Sequence, residues 1–124
     1  IASEVQSFLL DRAGALEEAG AAQVWLDPGF GFAKSAADNV HLLLALPRLV
    51  AAGRPVLVSA SRKGFLGELL GRGDRQDAEG LLEATIAFNT LVAWAGVHVV
   101  RVHDVQEVAD ALRVVNAVRA ASRS

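Results

Sequence analysis

The chain contains no cysteine, which excludes disulfides and thiolate-bound metal. Histidine is scarce, and His41, His98 and His103 are too scattered to suggest a preformed zinc site. Long apolar runs are absent too, since none approaches the roughly 20 residues that a helix needs to span a bilayer. No basic-then-apolar stretch opens the chain, so it reads as cytoplasmic, with no membrane partner. Nor is there an excess of one charge sign, because 12 Lys and Arg face 14 Asp and Glu. A net charge of −2 offers no field for nucleic acid, which leaves a small molecule as the expected partner.

What is present is apolar. Hydrophobic residues make up 52% and charged residues 21%, a balance that argues for a deeply buried core and against disorder. At 124 residues the chain suits one domain, or a piece of one, over 1–124, without a linker, a low-complexity segment or a sequence repeat. It opens on Ile1 rather than Met, so translation is expected to start upstream.

Hydrophobic periodicity switches repeatedly along the chain. Ser3 with Gln6 forms a capping-box pattern, and Val5, Phe8, Leu9, Leu16 and Ala19 then recur at helical spacing until Gly20. Residues 22–26 read as a short strand, stopped by Asp27-Pro28-Gly29. Asp38 is placed to cap a second helix bearing Val40, Leu43 and Leu44, which Pro47 should bend or restart and Gly53 should end. Residues 55–60 form a second buried strand, with Pro55 tolerated at its first position. Ser61 then caps a short helix through about Leu70, followed by the polar loop 71–75. A long helix over about 78–95 carries Ile86, Phe88, Leu91, Val92 and Trp94 on more than one stripe, so a second surface should cover it. Residues 97–102 make a third strand, and Asp104 with Glu107 caps a last helix bearing Val105, Val108, Leu112 and Val115. The order αβαβαβα implies an α/β fold with three parallel strands whose carboxyl ends lie on one side.

In such folds ligands gather at those carboxyl ends, and each one here is polar. Asp27 can accept two parallel N–H bonds from a flat guanidine-like heterocycle such as a pterin, or it simply forms a turn before proline. Phe30-Gly31-Phe32 offers aromatic faces on a loosened loop, or packs into the core. Ser61-Arg62-Lys63 joins a hydroxyl and two cations to a helix start, which suits a carboxylate; the plainer reading is a serine cap with solvated basic residues. Arg101 and His103 are two apart on a strand and share a face, so they can hold a diphosphate, unless they form a salt-bridged strand end. Chance would have to place all three sets at equivalent positions.

Asp-Pro-Gly-Phe-Gly-Phe-Ala-Lys at 27–34, Pro-Val-Leu-Val-Ser-Ala-Ser-Arg-Lys at 55–63 and Val-Arg-Val-His-Asp-Val at 100–105 resemble, in order and spacing, the last three strand motifs of dihydropteroate synthases. The match covers almost the whole chain. It implies the C-terminal part of a (β/α)8 TIM barrel. The implied activity joins 4-aminobenzoate to (7,8-dihydropterin-6-yl)methyl diphosphate, giving dihydropteroate and diphosphate for folate synthesis, with sulfonamides imitating the aminobenzoate. By the resemblance, Asp27 holds the pterin and Lys63 reaches both the pterin and the aminobenzoate. Ser61 lies near the benzoate carboxylate, and Phe32 packs on the benzoate ring. Arg101 lies against the pterin and, with His103, binds the departing diphosphate; Lys63, Arg101 and His103 are the expected catalytic residues. Magnesium is the implied metal, held by an asparagine outside this chain, and a homodimer through the late helices is implied as well.

Two positions depart from the family pattern. Ala33 and Ser59 stand where glycine is usual, and both should stiffen or narrow their loops. About half a site is expected from these residues, with no turnover by this chain alone. Two other readings stay open: a pterin-binding methyltransferase domain serving a corrinoid protein, which would have no diphosphate for Arg101 and His103 to hold, and a non-catalytic fragment that assembles with a missing half.

Overall fold

The computed structural model describes residues 1–32, 34–61, 64–71 and 79–123. Helix α1 (Ala2–Glu18) has Ile1 at its N-cap and no side-chain cap, so Ser3 lies inside the first turn and does not form the expected capping box. The chain then extends toward strand β1 (Leu57–Ser59), beside which strand β2 (Val99–Arg101) runs parallel, pairing Leu57 with Val99 and Ser59 with Arg101.

The expected first strand, 22–26, shrinks to one parallel bridge between Leu26 and Val56. Proline explains why. Leu26 donates its N–H to the Pro55 carbonyl at 2.8 Å and accepts the Leu57 N–H at 2.8 Å. The next rung toward the N-terminus requires an N–H at Pro55 for the Val24 carbonyl, and the next toward the C-terminus requires one at Pro28. Neither proline has one, so the ladder stops on both sides of Leu26.

Helix α2 (Ala36–Ala51) is capped by Ser35 rather than by Asp38. Ser35 Oγ accepts the Asp38 N–H at 3.0 Å, and the Asp38 carboxylate accepts the Ser35 N–H at 3.1 Å. Asp38 is therefore the acid of a capping box, and the bonds from Ser35 hold its carboxyl below the usual aspartate value. The helix passes through Pro47 without restarting. Helix α3 (Gly64–Leu69) is short, and a 3-10 turn (Glu79–Leu81) leads into α4 (Leu82–Trp94), so the single helix expected over 78–95 begins as a tighter turn. Asp104 occupies the N-cap of α5 (Val105–Ser122), but its side chain makes no capping bond there.

The helices bury one face of the strands. Val56, Val58 and Ala60 are fully buried and join Leu42, Leu46, Leu49, Leu66 and Val92 in one cluster. At its centre three rings meet: Phe30 and Phe65 each lie 5.2 Å, edge to face, from Phe88, and 6.4 Å from each other. Because side chains alternate along a strand, Leu57 and Ser59 face the opposite way, toward a cleft. Helix α4 packs chiefly on α5, whose Arg119 donates to the Ala93 and Trp94 carbonyls and lies over the Trp94 ring. Since α4 has no basic residue in its own last turn, Arg119 supplies the cation that its C-terminus lacks. The surface expected to cover all of α4 covers only part of it, for Leu91 and Trp94 remain about half exposed.

Candidate active site

Asp27, Phe32 and Arg101 come together. They line one cleft of about 230 Å³ with Gly29, Leu57 and Ser59. Asp27 follows the bridged Leu26, and its Oδ1 accepts the Gly29 N–H at 2.9 Å. The turn-forming reading of Asp27 is thus borne out, and the same exposed carboxylate lines the cleft. Arg101 ends β2 opposite Ser59, whose hydroxyl lies 3.5 Å from its guanidinium, at the long limit of a hydrogen bond. The serine that departs from the family pattern therefore sits beside the cation instead of merely narrowing a loop.

One register step further, Ser61 stands opposite His103. The Ser61 hydroxyl accepts the His103 backbone N–H at 3.0 Å and lies 3.0 Å from His103 Nδ1. Ser61 is 5% exposed, whereas the His103 side chain is exposed. Lys63, with its neighbour Arg62, lies outside the described residues, as does Ala33.

The aromatic pair separates. Phe30 is buried among Phe65 and Phe88, while Phe32, two residues on, is 68% exposed at the cleft. Two residues given no role from the sequence hold this loop, Asn39 outside the motifs and Lys34 at the end of the first one. Asn39, fully buried in the first turn of α2, accepts the Gly31 N–H at 2.8 Å and donates to the Ser35 carbonyl at 2.8 Å. Lys34 donates from Nζ to the Gly29 carbonyl at 2.9 Å and to the Phe32 carbonyl at 3.0 Å. Gly29 itself takes φ +75, a left-handed value that favours glycine. The sequence does hold a signal for Asn39: it occupies the helical stripe continued by Leu42, Leu46 and Leu49, and a polar residue in a core stripe needs buried partners.

The cleft thus presents an acceptor, Asp27, a permanent cation, Arg101, and an aromatic ring, Phe32. That suits a flat heteroaromatic carrying an anionic arm. A second hollow, lined by Phe8, Leu9, Pro28 and Lys34, shares Asp27, and the Lys34 ammonium there already donates to two carbonyls.

A family model described as "Pterin binding enzyme" matches residues 1–103. The dihydropteroate synthase of Mycobacterium leprae (strain TN) is 44% identical over 121 residues, 94% of this chain and 43% of that protein. The crystal structure of Thermus thermophilus dihydropteroate synthase in complex with 4-aminobenzoate is similar with a TM-score of 0.85 at 42% identity, over 93% of this chain and 44% of that one. Xanthomonas albilineans dihydropteroate synthase in complex with 7,8-dihydropteroate gives a TM-score of 0.87 at 47% identity, over 95% of this chain and 46% of that one. The chain therefore spans somewhat under half the length of the relatives it matches, and its helices and parallel strands form part of a TIM barrel. Because the matched region runs from α1 to His103 and takes in every candidate residue, the chain belongs to the family of pterin-binding enzymes.

Proposed function

We propose that this chain forms the C-terminal part of a dihydropteroate synthase, which joins 4-aminobenzoate to (7,8-dihydropterin-6-yl)methyl diphosphate. The observation that carries the reading is the single cleft lined by Asp27, Phe32 and Arg101. The ligands in the solved relatives, 4-aminobenzoate and 7,8-dihydropteroate, correspond to one substrate and the product.

In this reading the Asp27 carboxylate accepts N–H bonds from the pterin ring, and Phe32 packs on the benzoate ring. The aniline nitrogen attacks the methylene carbon, the carbon–oxygen bond breaks, and its electron pair leaves with diphosphate while the new amine loses a proton. Negative charge grows on the departing oxygen, where the Arg101 guanidinium and a His103 N–H stabilise it. Lys63 reaches both substrates. Ser61 lies near the benzoate carboxylate, and its hydroxyl also contacts His103. The resemblance assigns magnesium to an asparagine outside this chain; among the described residues no group of three or more histidine, aspartate or glutamate side chains converges. No step therefore passes through it.

Two further parts belong to the reading. Leu91, Trp94, Val114 and Val118 leave α4 and α5 with exposed apolar surface, which supports a homodimer through these helices. Among the described residues no helix is long and apolar enough to cross a membrane; with water-soluble substrates, the cytoplasm is the compartment that fits.

The test is diphosphate release when the protein at full length meets both substrates. Arg101→Ala should lower kcat/KM for the pterin diphosphate by about tenfold or more, the worth of a charge-assisted hydrogen bond, with little change in thermal stability. Undiminished activity in that variant would sink the assignment. Absence of diphosphate release by the unaltered protein would favour a pterin-binding methyltransferase instead.

A further inference from the structure

We infer that Ser61 is a positioning residue for His103: it engages Nδ1, so that His103 presents Nε2–H as a donor to a bound anion. The anion is the diphosphate of the proposed reaction, and in that respect the inference rests on that reading. The proton placement on His103 does not.

The argument starts from what one hydroxyl can do. A serine Oγ has one proton to give and lone pairs with which to accept. Here the His103 backbone N–H donates to it at 3.0 Å, and the His103 ring nitrogen Nδ1 lies at 3.0 Å from the same atom. The backbone N–H takes one lone pair of a hydroxyl that is only 5% exposed, and Nδ1 is an acceptor within reach of its proton. A neutral ring that accepts this proton carries its own on Nε2. If the ring is charged, Nδ1–H donates to Oγ and Nε2–H is still present. In either protonation state the outward nitrogen is a donor. Without the hydroxyl, a neutral imidazole also populates the form with an Nε2 lone pair, which repels a phosphate oxygen.

Burial and register support this part over direct contact with substrate. Ser61 is 5% exposed and its contacts turn toward β2, so a ligand has little of it to touch. The bond to the backbone ties His103 to the end of β1, two residues beyond the Ser59 and Arg101 pair. Backbone and ring are thus held by one atom, a strong constraint on a side chain that is otherwise exposed.

The experiment is a long-range proton–nitrogen NMR correlation on full-length protein labelled with nitrogen-15 histidine, the His103 signals being identified by their loss in His103→Gln. Above the pH at which the ring loses its charge, His103 should show the Nε2–H form alone. Ser61→Ala should give averaged signals from both forms, and Ser61→Thr should restore the single form. An Nδ1–H form in the unaltered protein, or ring signals indifferent to Ser61→Ala, overturns the inference. In steady-state assays, Ser61→Ala should raise KM for the pterin diphosphate about tenfold and leave KM for 4-aminobenzoate alone, with rescue by Thr. A rise confined to 4-aminobenzoate would make Ser61 a benzoate ligand and overturn it equally. If Ser61→Ala does not fold, Ser61→Cys, whose thiol is a far weaker donor, should give the averaged ring signals in its place. A single Nε2–H form in that variant goes against the inference. If the unaltered protein releases no diphosphate, the proposed reaction fails, and the NMR result still decides the proton placement.

Discussion

Asn39 Oδ1 accepts the Gly31 N–H at 2.8 Å from a side chain with no solvent exposure. A core residue of α2 thereby governs the loop that carries Asp27 and Phe32. Asn39→Leu should cost about 1–3 kcal/mol, because the Gly31 N–H loses its acceptor and the Ser35 carbonyl loses a donor. Thermal denaturation measures the cost, and hydrogen exchange at Gly31 should accelerate. Unchanged exchange there would show that the loop does not depend on Asn39.

Phe30 and Phe32 should answer to different assays. Phe30→Ala opens a hole beside Phe65 and Phe88 and should cost about 3–5 kcal/mol in urea denaturation. Phe32→Ala, at a side chain 68% exposed, should change stability by under about 0.5 kcal/mol while weakening 4-aminobenzoate use. Comparable stability losses in the two variants would contradict this division.

Acid should weaken the fold through two carboxylates. Arg54 donates to both Glu17 oxygens, at 2.9 and 2.7 Å, and this holds the Glu17 carboxyl below its ordinary value of 4.5. The bonds from Ser35 do the same for Asp38, below 3.8. A carboxyl lowered by folding adds stability that is fully present above its unfolded value and is lost as pH falls through the folded one. Melting temperature should therefore hold above about pH 5 and decline below 4.5. Glu17→Gln with Asp38→Asn should flatten that decline, and salt should weaken the Glu17 part. An acid slope identical in the double variant would assign the loss elsewhere.

Much of the chain is legible in its sequence because periodicity reports burial. The four long helices and the two paired strands follow from apolar spacing, and the three polar strand ends follow from where strands stop. The first strand reads longer than it is because residues 22–26 have the composition of a strand, whereas pairing needs donors on both segments, which Pro55 on one and Pro28 on the other withhold. The caps differ from expectation for a related reason. Several short polar residues stand near each helix start, and only geometry shows that Ser35 accepts while Asp38 reaches back. In the site, Asp27, Phe32 and Arg101 are readable as motifs, but the hold of Asn39 and Lys34 on the loop depends on distances that no spacing rule supplies.

Leu91 and Val114, 55% and 66% exposed, should be covered in the proposed dimer. Leu91→Asp with Val114→Asp should shift the full-length protein from dimer to monomer in analytical ultracentrifugation. A dimer that persists in the double variant would place its interface on another surface.

The hydrogen bond from His103 to Ser61 also has a consequence in time. Successive residues of a strand face opposite ways, so a slip of one residue between β1 and β2 would turn Arg101 and His103 away from the cleft. An intermediate slipped by one residue would then lack the proposed anion grip, and the moment at which anion affinity appears during refolding should mark the moment at which the two strands lock.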